Sequence, residues 1–294
     1  MRRNFLLAVM LATVALVPGL GQAAPTASVP DFSGMWAHPW LPGYEPLGSG
    51  PTSLKNLSRR NGVSNPVQLV GDYNNPILKP ATAEIVKKFG EMSKSYYGFP
   101  NPRNQCWPNG IPFVLSSNGL EIFQKPNEIT MIYQVDHQVR RVRMNSTHPA
   151  NVTLSYFGDS IGRYEGDTLV IDTVGIKPGP FAMIDWFGTP QTPNLHVIER
   201  YRLLDYADAK EGLDRAAGEN ALPQPPTVDL SYRGKHLQLT FTVEDESVFT
   251  TRWSATVTYG KPVDEWVENV CAENPNKYGT ERDAQVPTAA KPDF

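Results

Sequence analysis

Two histidines, an aspartate and an arginine in this sequence have the types and spacing for acid–base chemistry. Asp172 ends the otherwise apolar run Thr168-Leu169-Val170-Ile171-Asp172. A half-buried carboxylate there stays charged only beside a cation or a hydrogen-bond donor. A carboxylate that orients an imidazole gives a proton donor or acceptor that works near neutral pH. The candidate catalytic set is therefore His148 or His196 as acid or base, Asp172 as the orienting group or second base, and Arg163 as the stabiliser of developing negative charge. A single histidine in a β protein is more often a satisfied structural group, and the neighbouring carboxylates are what single these out. His137 beside Asp136 falls in a turn. His137, His148 and His196 show no short His-x-His spacing, so no metal is expected. No nucleophile elbow, phosphate loop or dinucleotide fingerprint is present, so no cofactor is expected.

The element that must position Asp172 and Arg163 is a hairpin. Residues 161–165 and 168–174 flank Gly166-Asp167, a two-residue turn. That turn pairs Glu165 with Thr168, Arg163 with Val170 and Ile161 with Asp172. Alternation then puts Glu165, Arg163, Thr168, Val170 and Asp172 on one face, with Arg163 diagonal to Asp172 and in reach of an ion pair. Facing a lumen, this face is a binding or catalytic wall; facing water, it is an ordinary solvated hairpin. His196 shares its strand face with Ile198 and Arg200, while Glu199 lies opposite with Leu195, Val197 and Tyr201. Aromatic residues are dense along the strands. Tyr133, Tyr156 and Trp186, with Arg140 and Arg200, suit an aromatic or terpenoid-like ligand carrying a polar end. The apolar segment 181–187 reads either as a cap over a cavity mouth or as packed structure.

Around this hairpin the chain reads as all-β. After Cys106 short strands alternate with turn residues: Ile111 to Ser116, 120–125, 129–135, 139–144, then 196–203, Leu230 to Tyr232, 237–243 and 248–259. With no βαβ alternation the sheet is expected to be antiparallel, and closure into a barrel removes its edges. Ahead of it, 24–105 reads as an irregular wrap rich in Pro and Gly. One helix lies in it near 81–92, with Ile85, Phe89 and Met92 on its apolar face. Residues 106–272 form the barrel domain and 273–294 a flexible tail. The polar connection 205–226 reads as a lid or a surface excursion.

Composition narrows the class further. The 294 residues carry 27 Lys+Arg and 30 Asp+Glu, a formal charge of -3, which leaves no electrostatic footprint for nucleic acid. Arg2 and Arg3, the apolar run from Phe5 to Val17 and the small residues before Ala24 form a signal peptide over 1–23, placing the mature chain in the periplasm or outside the cell. The apolar run is too short to span a bilayer. In an oxidising compartment the only two cysteines, Cys106 and Cys271, are expected to form a disulfide.

The stretch from Gly158 to Gly175, with its Ser-Ile-Gly-Arg-x-Glu-Gly-Asp-Thr-Leu-Val-x-Asp-Thr block at 160–173, and the stretch from Asn194 to Tyr201 resemble a large group of exported bacterial proteins common in soil and aromatic-degrading bacteria. The resemblance covers roughly 110–272 and implies export and a β-rich fold. Asp159 stands where many members of that group carry His. Gly34-Met35-Trp36 also resembles the Gly-x-Trp that opens lipocalins, where the Trp packs on the barrel floor. Two functions fit. One is an exported, cofactor-independent lyase, isomerase or hydrolase acting on a small hydrophobic or aromatic compound in a barrel lumen. The other is a periplasmic carrier of such a ligand without turnover. The two differ in whether His and carboxylate converge within hydrogen-bond reach or scatter to the rim.

Overall fold

The computed structural model describes residues 29–39, 43–60, 63–65, 68–94, 99–116, 119–219, 227–266 and 269–271. The expected signal peptide and the tail at 273–294 lie outside the described residues. In chain order the elements are β1 (Gly34–Ala37), β2 (Glu45–Pro46), β3 (Arg59–Arg60), β4 (Val63–Ser64), α1 (Pro80–Ser93), β5 (Gly119–Gln124), β6 (Glu128–Tyr133) and β7 (Gln138–Met144). They continue with β8 (Asp159–Glu165), β9 (Thr168–Val174), β10 (His196–Leu204), α2 (Tyr206–Glu219), β11 (His236–Glu244) and β12 (Trp253–Tyr259).

Ten strands form one sheet in the order β1-β5-β6-β7-β8-β9-β10-β11-β12-β2. Ala37 at the end of β1 exchanges two backbone hydrogen bonds, 3.0 and 2.8 Å, with Gly260 just past β12. The two ends of the sheet thus meet at one corner, and the wall curls into an all-β, barrel-like fold. At that corner Trp36 is buried, its indole N–H donates to the Phe32 carbonyl, and the Lys261 ammonium lies 3.8 Å from its ring centre. Alternation along the strands turns Tyr133, Tyr201, Leu239, Phe241, Val243 and Trp253 inward, all essentially inaccessible. The interior at these positions is packed core, where a ligand-holding lumen was expected.

The expected hairpin register holds at every pair: Glu165 faces Thr168, Arg163 faces Val170 and Ile161 faces Asp172. Besides a last strand that starts at Trp253 rather than 248 and β1 and β2, which join the sheet from the segment read as a wrap, four features differ. First, β7 and β8 pair in parallel, through residues 142–144 against 160–162 only, because the fourteen-residue connection 145–158 crosses back instead of turning. Second, Phe113–Ser116 is a single 3-10 turn and Leu230 to Tyr232 lies in a turn, so neither expected strand exists. Third, the first helix buries Thr82, Val86, Gly90 and Ser93, leaving Ile85 and Met92 exposed. Small residues line the buried face because Gly90 lets the Val70 backbone approach, its would-be Cβ lying 3.6 Å from Val70 Cα. Fourth, the 205–226 connection contains a second helix, α2, that seats Ala209, Leu213 and Ala216 against the sheet. Those three recur at helical spacing inside a charged sequence, with Lys210–Asp214 and Glu211–Arg215 pairs facing water.

Cys106 and Cys271 are disulfide-bonded, closing a separation of 165 residues. The Asp136 carboxylate accepts the backbone N–H of Cys271 at 2.7 Å, which pins the bridge to the β6–β7 turn. Among the described residues no helix is long and apolar enough to cross a membrane.

Candidate functional site

Three expected catalytic residues meet on the outer face of the sheet. Asp172 on β9 stands opposite Ile198 of β10, so His196, two residues earlier on β10, is its diagonal neighbour on the same face. His196 Nε2 lies 2.8 Å from Asp172 Oδ1. His148 arrives from the β7–β8 crossover. Asn145 takes a positive φ of 52° there and its backbone N–H donates to the Gly162 carbonyl, while Pro149 disfavours helical backbone at His148. His148 Nε2 then lies 3.3 Å from the same Asp172 oxygen.

Each imidazole has a second carboxylate. His148 Nδ1 bonds Asp159 Oδ2 at 2.7 Å, and Arg143 Nη2 donates to both Asp159 oxygens at 2.7 and 2.8 Å. His196 stands directly opposite Glu244 of β11, with Nδ1 and Oε2 3.6 Å apart, and Arg252 holds the other Glu244 oxygen at 3.3 Å. The result is one alternating line, Arg143–Asp159–His148–Asp172–His196–Glu244–Arg252. Gly158 makes the entry to β8 possible. At φ 65° its would-be Cβ falls 2.5 Å from the Val174 carbonyl, so a side chain there displaces Asp159.

The central side chains are neither buried nor free, with exposures of 22% for His148, 26% for Asp172 and 29% for His196. The hydrogen bond from His196 holds the Asp172 carboxyl below the usual carboxylate range. The same bond raises His196 above the usual imidazole value, against partial desolvation. The bond thus favours the protonated form of His196 and the charged form of Asp172. Asp172 orients His196 through Nε2 at 2.8 Å, while Nδ1 faces Glu244 at 3.6 Å, the looser of its two contacts. On His148 the short bond is to Asp159, and the longer Nε2 contact is the one a substrate can displace.

No family model, curated protein or solved structure matches this chain. The site therefore rests on its own geometry.

The other expected site residues go elsewhere. Arg163 turns from Asp172 to Glu165, at 2.9 and 2.6 Å, because both are exposed at the hairpin end where an adjacent carboxylate is nearer. Arg200 bonds the other Glu165 oxygen at 2.7 Å. Arg140 and Tyr133 are core residues. The Arg140 guanidinium is 1% exposed and meets Glu199, 0% exposed, through two bonds of 2.9 and 2.7 Å. Ser160, Thr173 and the Tyr133 hydroxyl take its remaining donors, and the Tyr201 hydroxyl donates to Glu199 at 2.8 Å. Burial pushes the Tyr133 hydroxyl up to about 12. Trp186 is buried, donating to Ser116 Oγ at 2.9 Å and packing on Phe113. Ile184 and Phe187 beside it are core, so 181–187 is packed structure rather than a cap.

Tyr156 lines a cleft. Because β7 and β8 pair only at 142–144, they splay apart ahead of that point, and a recess of ≈ 540 Å³ opens between residues 138–141 and 155–158. Gly158 lines it and immediately precedes Asp159, while Arg141 lines it two residues from Arg143 on the same outward face. The array therefore starts about 7 Å from the cleft, the rise of two strand residues.

Asp159, Glu244 and Arg143 were not singled out as catalytic from the sequence. Glu244 could be found only with the β10–β11 register in hand, and Asp159 only once the crossover had placed His148.

Proposed function

We propose that this chain is an exported, cofactor-independent acid–base enzyme, a lyase, isomerase or hydrolase acting on a small hydrophobic or aromatic compound. The observation that carries this reading is the convergence of two imidazoles on one Asp172 oxygen, 2.8 and 3.3 Å away, each with a second carboxylate on its other side. A carrier needs no such array, because each ordered charged group costs desolvation that only chemistry or structure would offset. His196, oriented by Asp172, which favours its charged form, gives a proton through Nδ1. His148, held by Asp159, takes or gives one through Nε2. Together they can remove a proton from one atom of a substrate and deliver one to another with no net change, and solvent exchange restores both rings. The reaction takes place on the outer wall beside the cleft rather than inside the barrel. The disulfide fits the oxidising compartment that the N-terminal segment suggests.

The test is to incubate the mature protein with a panel of lignin-derived aromatics, terpenoids and steroids, reading bound mass and product together. Product that His196→Ala and Asp172→Asn each reduce at least about 100-fold supports the enzyme. Stoichiometric binding with every ligand returned unchanged supports the carrier.

A further inference from the structure

On the outer wall the other outward arginines of β7, β8 and β10 close on carboxylates: Arg143 on Asp159, Arg163 and Arg200 on Glu165, and Arg202 on Asp167. Arg141, exposed on the same face of β7 and lining the cleft, has no such partner among the described residues. The register explains why. Arg141 stands opposite Thr130 of β6, while the neighbouring acid, Glu128, stands opposite Arg143 and accepts from the Thr130 hydroxyl at 3.3 Å. Among the described residues the cleft lining holds no acid, and Asp159, next to its Gly158 wall, is already held by Arg143 and His148. Arg140 lines the cleft too, but Glu199 occupies its guanidinium. The Lys177 ammonium adds positive charge nearby, 5.3 Å from the centre of the Tyr156 ring. The cleft is therefore a cationic recess whose charge the fold leaves uncompensated.

We infer that this cleft binds an aromatic carboxylate, with the Arg141 guanidinium as its anion site. A guanidinium presents a planar fork of N–H donors that matches the two oxygens of a carboxylate. Tyr156, Phe157 and the half-exposed Val139 line the same recess and supply an apolar wall for the ring. The recess volume matches small-molecule sites, roughly 300–1,000 Å³. A cationic ligand is repelled here and a neutral one leaves the guanidinium unmatched, so charge decides the class. Arg141 lies two strand residues, about 7 Å, from Arg143, which sets the acid end of the ligand toward the His148–Asp172–His196 array. Aromatic carboxylates are then the substrate class of the proposed enzyme. Turnover rests on that reading; binding stands on the cleft alone.

The probes are 2-naphthoate, 2-naphthamide, which keeps the rings without the charge, and acetate, which keeps the charge without the rings. Each is titrated calorimetrically against wild type, Arg141→Gln and Val139→Glu, and each mixture is read for product. Both positions are exposed, so neither variant threatens the fold, and Val139→Glu sets a carboxylate on the cleft wall while leaving Arg141 in place. The expected result is 2-naphthoate binding at least about tenfold tighter than either analogue, equivalent to about 1.4 kcal/mol, with the preference over 2-naphthamide lost in Arg141→Gln and reduced in Val139→Glu. No binding of 2-naphthoate, equal affinity for 2-naphthoate and 2-naphthamide, acetate binding as tightly as 2-naphthoate, or a preference unchanged in Arg141→Gln would overturn the assignment. Selective binding with no product would leave it standing and count against the enzyme. Product from 2-naphthamide alone, undiminished in Arg141→Gln, would overturn the assignment and leave the enzyme standing.

Discussion

His196 and Asp172 are joined across neighbouring strands by a 2.8 Å bond that shifts both titrations in opposite directions, the imidazole upward and the carboxyl downward. The shifts fix when the pair stabilises the fold. His196 contributes fully below its ordinary 6.5, and the contribution is lost as pH rises through its higher folded value. Asp172 contributes fully above its ordinary 3.8, and the contribution is lost as pH falls through its lower folded value. The destabilisation by Asp172→Asn should therefore be greatest between those two ordinary values and fade on either side. Both groups are partly exposed, so the maximum is about 0.5–1 kcal/mol, read by urea denaturation across pH.

The Arg140–Glu199 pair makes a larger prediction. Both groups are fully enclosed and every donor named above is taken. Glu199→Leu leaves a buried guanidinium without its counter-charge and should cost about 3–5 kcal/mol. Arg140→Met added to Glu199→Leu should recover part of that loss, because no unpaired charge remains. Chemical denaturation of the two variants, compared at equal slope, measures it.

Glu45 on β2 should give the fold a pH dependence of its own. It is buried beneath α2, accepting from the Thr258 backbone N–H at 3.1 Å and hydroxyl at 3.2 Å, with Arg215 nearby. Burial pushes it from 4.5 up to about 7. The folded chain then holds a proton that the unfolded chain has released, so stability falls as pH rises from 4.5 toward 7. At about 1.4 kcal/mol per pK unit, the fall is at most about 3 kcal/mol. Glu45→Gln should flatten melting temperature against pH over that interval.

Removing the Cys106–Cys271 bridge should destabilise strongly. It closes 165 residues of chain, for which loop-closure entropy gives about 5 kcal/mol. Cys106→Ser/Cys271→Ser should lose about that much by denaturant titration while keeping its far-ultraviolet circular dichroism below the transition.

Much of this was legible in the sequence, and the hairpin shows why. Gly166-Asp167 fixed a two-residue turn, and the turn alone determines which residues face each other, so all three expected pairs are present. His148, His196 and Asp172 were legible as compatible types, one histidine or the other with Asp172, but were expected in a lumen rather than on the outer face. What hid the rest was non-local. The parallel β7–β8 pairing depends on how a long crossover packs, and it is this pairing that opens the cleft and delivers His148 to Asp172. The inward side of β7 carries Arg140, which reads as a ligand-binding cation until Glu199, 59 residues later, is seen to face it. In α2 the apolar stripe of two alanines and a leucine is too slight to stand out among charges. Arg163 shows the limit of register: it is diagonal to Asp172 as expected, but the nearer Glu165 takes it.

Asp172 orients His196 and favours its charged form. The most direct measurement is a nuclear magnetic resonance titration of the His196 ring nitrogens in wild type and Asp172→Asn, with His148→Ala to assign the second imidazole. The expected wild-type midpoint lies above the ordinary 6.5 and drops toward or below it in Asp172→Asn. A wild-type midpoint at or below the ordinary value, or one indifferent to Asp172→Asn, would contradict the Asp172–His196 pairing.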